Sequence, residues 1–274
     1  MCWKLCSIVK GCKFWYHRPM ADHRYHFFAK DGDIIGNNQW CVPEHKRHHL
    51  FNVLKLSPSH VITLTTQTLK RTVSITHIQE HHVFFTVGKA QPLSASNPAI
   101  LLIQALPKQD KFTDIIRSCT EIGVCDFVPL GTQKSLQSVS PTKQTRWETV
   151  LNSASEQSKQ PYIPTLHPCI HLSELGVFLS DFCFDLCIVC WEDEHKQTLS
   201  QILPKKTSHT PDMPFRIAIL IGPEGGLTRS EINQCRSLGF KSVSLGSHIL
   251  RVETAGLYAC AQIQALFAYN QLEQ

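Results

Sequence analysis

Two stretches of this chain combine residue types that ligand-binding turns use. The first is Arg216–Gly226, RIAILIGPEGG, an apolar run that stops in Gly222-Pro223-Glu224-Gly225-Gly226. Thr228 and Glu231 follow at the spacing of a capping box, which opens a helix. Glycines permit positive φ and let backbone amides and carbonyls come close to a ligand. The pattern is neither Gly-x-Gly-x-x-Gly nor a phosphate loop ending in Lys-Ser/Thr, so dinucleotide binding and ATP hydrolysis are not favoured. A plain tight βα connection is the competing reading. The second stretch is Val243–Ala255, VSLGSHILRVETA. A strand ends at Leu245-Gly246, a short apolar segment carries Arg251 and Glu253, and a helix rich in small residues follows. Arg251 and Glu253 form either a salt bridge at a helix end or a pair of side chains beside a bound cofactor.

These turns need strands and helices to hold them. After residue 98 the pattern alternates: strands at Ala99–Ala105, Cys125–Leu130, Asp185–Trp191, Arg216–Ile221 and Lys241–Leu245; helices at Asp110–Ile122, Pro141–Lys159, Leu172–Leu179, Thr228–Leu238 and Val252–Tyr269. Such alternation predicts a mostly parallel sheet covered by helices on both faces, with ligands at the carboxyl ends of the strands. Before residue 91 the pattern is β-rich, with alternating runs at Val61–Gln67, Arg71–Ile78 and His82–Val87 and one short helix near Pro43–Leu54. The expected organisation is an extension at 1–19, a β-rich domain at 20–92, a linker at 93–98 (within QPLSASNP) and an α/β domain at 99–274.

Composition narrows the function. Hydrophobic residues are 42% and charged residues 18% of 274, an ordinary globular balance that excludes disorder throughout. No apolar run reaches the ~20 residues of a membrane helix, and no signal peptide is visible, so a cytoplasmic protein is expected. The net charge of +5 is uneven: residues 1–90 hold 12 Lys/Arg against 5 Asp/Glu, and 91–274 hold 15 against 17. A basic N-terminal third suits either a polyanion-binding module or a solvated basic surface. The twelve cysteines are irregularly spaced in a chain long enough to bury a core, so free thiols are expected. Cys187 and Cys190 form a Cys-x-x-Cys, but in a strand-like run with no second ligand pair, so no metal site is expected.

IGPEGGLTRSEI followed by LGSHILRVETA resembles the signature of the RsmE family, 16S ribosomal RNA uridine N3 methyltransferases of the SPOUT (α/β-knot) superfamily. Three further stretches resemble the same family: FTDIIRSCTEIGVCDFVPL at 112–130, SEQSKQPYIP at 155–164 and HHLFNVLKL at 48–56. The resemblance covers about residues 24–270. It implies a trefoil-knotted C-terminal SPOUT domain that binds S-adenosylmethionine (SAM), an N-terminal PUA-like β-barrel domain that holds RNA, and a homodimer. It assigns cofactor contacts to Leu220, Gly222, Gly226, Leu245, Gly246, Ile249, Leu250 and Ala255. Arg251 would stabilise the uracil anion, and Glu224 or Glu253 would accept the N3 proton. Arg24, Lys55 and Lys134 would contact RNA in the small ribosomal subunit. The chain departs from the family pattern where Lys55, Lys134, His248 and Gln160 replace the usual Arg, and where Ser57-Pro58-Ser59-His60 replaces a Pro-Gly-Asp turn. An RNA-binding or ribosome-assembly protein without catalysis is the alternative. Met20 stands where family members begin, so residues 1–19 are expected to be a disordered extension or a start-codon artefact.

Overall fold

The computed structural model describes residues 25–36, 38–67, 69–93, 96–136, 138–205 and 213–272. Arg24 and the 1–19 extension lie outside the described residues.

The chain forms two sheets. The first has six strands: β1 (Tyr25–Phe28), β2 (Ile34–Ile35), β3 (Gln39–Cys41), β4 (Val61–Thr65), β5 (Leu69–Gln79) and β6 (His82–Pro92), in the order β1-β4-β5-β6-β3-β2. β1 runs parallel to β4 and the other neighbours are antiparallel. Alternate residues Phe27, Ile62, Leu64, Val73, Ile75, Val83 and Phe85 pack around the fully buried Trp40. The short helix is α1 (Glu44–Arg47), which continues into a π-helical segment over His48–Val53 and leaves it at Lys55 with a positive φ of 50°.

The second sheet is parallel: β7 (Ala99–Ala105), β8 (Asp126–Gly131), β9 (Thr165–Leu166), β10 (Ile170–His171), β11 (Leu186–Cys190), β12 (Arg216–Ile221) and β13 (Lys241–Val243), with main order β10-β8-β7-β12-β11-β13. Successive side chains of a strand point to opposite faces, and two cores result. Ile100, Leu102, Ile188, Ile217 and Ile219 face one core, and Leu101, Ile103, Val189, Ala218 and Leu220 face the other. α2 (Lys111–Glu121), α3 (Pro141–Ser158), α5 (Leu199–Ile202) and α7 (Val252–Leu272) supply the first core; α4 (Leu175–Ser180) and α6 (Arg229–Ser237) supply the second. The same alternation separates Cys187 from Cys190, which pack on opposite faces. All nine described cysteines are free, and no metal-binding group is found among the described residues.

The two sheets are stitched together at α3. Glu156 accepts hydrogen bonds from the Lys46 ammonium and from the Phe28 amide at 3.1 Å. The end of the connecting segment is also held: the Ser96 hydroxyl bonds to Tyr162, and Asn97 Oδ1 accepts from the Phe215 amide at 3.1 Å. β6 itself runs on through Gln91 and Pro92, pairing with Lys70 and Leu69, so the strand reaches the predicted linker.

Candidate active site

A cavity of about 600 Å³ opens at the carboxyl ends of three neighbouring strands, β12, β11 and β13. The loop after β12 contributes Gly222 to Gly226, the loop after β13 contributes Ser244 to Arg251, and Trp191 and Glu192 come from the loop after β11. Parallel packing forces these three turns to one edge of the sheet. Lys111, the first residue of α2, reaches the same cavity from the turn after β7.

The glycine loop has a specific build. Gly226 sits at φ +67°, where side chains are strained, and a Cβ there would overlap the carboxylate of Glu192. What comes close to Gly226 is therefore a protein side chain. At the loop's end, the Thr228 hydroxyl accepts from the Glu231 amide, and the Glu231 carboxylate accepts from the Thr228 amide at 2.8 Å, completing the capping box. Glu231 is buried, and its other oxygen accepts from the Gln133 amide at 2.8 Å. Lys134 of the same segment donates to the Gly225 carbonyl at 2.8 Å.

Charges at the rim are arranged around Lys111. Its ammonium lies 3.5 Å from Glu224 and 3.4 Å from Glu253. A cation is disfavoured at a helix N-terminus by the helix dipole, and the two carboxylates offset that cost. Glu224 also accepts from the Lys108 amide at 3.1 Å. Glu253 begins α7, where its own amide, and then Lys111, hold its carboxyl below the usual range. Arg251 starts the same helix through its carbonyl, which accepts from Thr254 and Ala255. The Arg251 side chain is exposed and makes no ion pair among the described residues. Cys190 lines the cavity floor, but burial pushes its thiol up to about 12, so it is no thiolate nucleophile.

Of the residues singled out in the sequence, Gly222, Gly226, Leu245, Gly246, Ile249, Leu250, Ala255, Arg251, Glu224 and Glu253 all line this cavity. Leu220 does not: it is fully buried in the second core, and Ile221 is the β12 residue on the cavity wall. One residue along a strand exchanges faces, which is why the assignment shifts by one. His248 lines the cavity, whereas Gln160 donates to the Thr120 and Glu121 carbonyls and caps α2. Lys55 lies in the other unit, exposed after the π-helical segment. Lys111, Trp191 and Glu192 carry no motif of their own; only a strand end next to the glycine loops marks them.

Residues 95–264 match the family model of an RNA methyltransferase domain. The chain belongs to this RNA methyltransferase family. Within it, similarity runs to the RsmE branch. Ribosomal RNA small subunit methyltransferase E of Synechocystis is 36% identical over 169 residues, covering 61% of this chain and only 53% of that protein. The Bacillus subtilis protein of the same name is 28% identical over 79% of this chain and 86% of its own length. A solved structure of this methyltransferase from Neisseria gonorrhoeae, bound to S-adenosyl methionine, superposes with a TM-score of 0.73 at 26% identity, covering 89% of this chain and 98% of that one. As a member of the RNA methyltransferase family, this chain has its two signature loops facing one cavity.

Proposed function

We propose that the protein is a SAM-dependent methyltransferase that modifies N3 of a uridine in 16S ribosomal RNA of the small subunit. The observation that carries this reading is the convergence of both signature loops, 222–226 and 244–251, on one cavity of cofactor size. The lining suits SAM. Ile221, Leu245, Leu250 and Ala255 give apolar walls for an adenine, and the glycine turns expose backbone donors and acceptors. When bound, SAM supplies a methyl group already activated by its sulfonium charge. The chain's residues orient the base and handle its proton. Arg251, exposed and in no ion pair with a described residue, is placed to stabilise negative charge on a uracil oxygen. Glu224 and Glu253 are the rim carboxylates able to take the N3 proton, and Lys111 fixes both. N3 is a pairing position, so the target base must stand outside a helix when it enters.

The N-terminal unit, 20–92, is read as a PUA-like RNA-holding domain. Its basic sequence and the Lys46–Glu156 contact to α3 support that role. The C-terminal unit, 99–274, is read as a trefoil-knotted SPOUT domain. The return of β13 beside β11, which sets its loop against that of β12, supports the reading. Ile249 is 82% exposed at the cavity mouth and Tyr258 of α7 is 40% exposed, and a second copy in a homodimer would cover them. The nine free thiols among the described residues suit the reducing cytoplasm. The test is methylation of unmodified small subunits by the purified protein with labelled SAM, followed by mass spectrometry of nucleosides. The expected product is 3-methyluridine; label in another nucleoside, or none, refutes the reading.

A further inference from the structure

Three carboxylates line the cavity: Glu192, Glu224 and Glu253. Two are occupied by Lys111, and Glu224 also by the Lys108 amide. Glu192 makes no hydrogen bond or ion pair with any described residue. Its side chain is exposed and lies against the glycine loop. Its carboxyl carbon lies 3.0 Å from the position that a Cβ on Gly226 would take, so the missing side chain of Gly226 makes its berth. The loop that carries it is pinned on both sides. The Trp191 amide donates to the Val243 carbonyl at 3.0 Å, and the Arg236 guanidinium lies 5.4 Å from the centre of the Trp191 ring. Two residues on, Glu194 accepts from the Ser242 hydroxyl at 2.6 Å. Glu192 is exposed on the cavity wall, so its carboxylate is available to a cationic ligand entering the cavity.

Backbone groups of glycine loops can read adenine and ribose, but these are the same in SAM and in its demethylated product. A carboxylate in the cavity distinguishes the two by charge. We propose that Glu192 reads the positive charge of the cofactor and is the residue through which the cavity recognises SAM as a cation. This rests on the cavity being the SAM site, as proposed above.

The test is calorimetric binding of SAM, S-adenosylhomocysteine and 5′-methylthioadenosine to the wild type, Glu192→Gln and Glu192→Asp. The Gln variant keeps shape and loses charge; it is expected to bind SAM about tenfold more weakly, the loss of one moderate charge contact. The Asp variant keeps the charge and is expected to stay within about threefold of the wild type. If S-adenosylhomocysteine is unaffected by Glu192→Gln, the charge read is the sulfonium. That result supports the proposal. If S-adenosylhomocysteine weakens with SAM while methylthioadenosine does not, Glu192 reads the amino group that SAM and its product share, and the proposal is overturned. Equal weakening of all three ligands, or SAM binding within about twofold of the wild type, overturns it. Absence of SAM binding by the wild type refutes the proposed function and this inference with it. Unchanged melting temperatures of both variants show that the fold is intact.

Discussion

Gly226→Ala perturbs two things that can be separated. Gly226 sits at φ +67°, and a side chain there meets the Glu192 carboxylate. An alanine forced into the left-handed region costs about 1–2 kcal/mol. The overlap is with the far end of an exposed, flexible side chain, so moving Glu192 aside adds only about 0.5 kcal/mol. The variant should therefore lose about 1.5–2.5 kcal/mol, which lowers the melting temperature by roughly 4–8 °C for a protein of this size. The assay is a double-mutant cycle by urea or thermal unfolding of the wild type, Gly226→Ala, Glu192→Ala and the double variant. With Glu192 truncated, only the backbone strain remains, so the second substitution should cost about 0.5 kcal/mol less than it does alone. Additivity within about 0.3 kcal/mol would refute the reasoning, because it would mean that Glu192 does not fill the space beside Gly226.

Three further outcomes are expected. Glu231→Ala removes the buried acceptor of the Thr228 and Gln133 amides and should cost about 3 kcal/mol, two buried donors being left unpaired; a loss below about 0.5 kcal/mol in denaturant titration would contradict this. Arg251→Ala should leave SAM affinity nearly unchanged and lower turnover about 10²-fold or more; unaffected turnover removes Arg251 from the mechanism. His26 is buried against Thr65, and burial, then Lys70, Lys159 and Lys46, pull its pKa down to about 4. The unfolded chain takes up that proton first as pH falls, so stability present above about pH 6.5 is lost down to pH 4, by about 3 kcal/mol. His26→Gln should flatten stability over that window, and an identical slope in the variant would reject the assignment.

Much of the α/β architecture was legible because strands buried on both faces are continuous apolar runs, and the helices between them carry caps. The Thr228–Glu231 capping box is a local device, and it formed at the predicted residues. The glycine turns were legible for the same reason. What local patterns could not carry was which of two adjacent strand residues faces the cavity. Leu220 and Ile221 are both apolar and nearly equal in propensity, and only register against β11 and β7 separates them. The Cys187–Cys190 pair shows the same limit: three residues apart on a strand means opposite faces, whatever the spacing suggests. Lys134 and Gln160 were marked by their departure from a family pattern. Their observed partners are carbonyls of the glycine loop and of α2, contacts between segments 91 and 40 residues apart.

By itself, the sequence determined which segments become strands, helices and glycine turns, since those choices follow from periodicity, caps and backbone freedom within a few residues. It also determined the basic character of the N-terminal third. Tertiary structure alone decided the electrostatics of the site. Lys111 meets Glu224 and Glu253 because β7 lies beside β12 and α7 packs on both, although these residues are more than a hundred positions apart. Glu192 meets Gly226 because β11 lies beside β12. Charges act through space, so their partners are set by strand order.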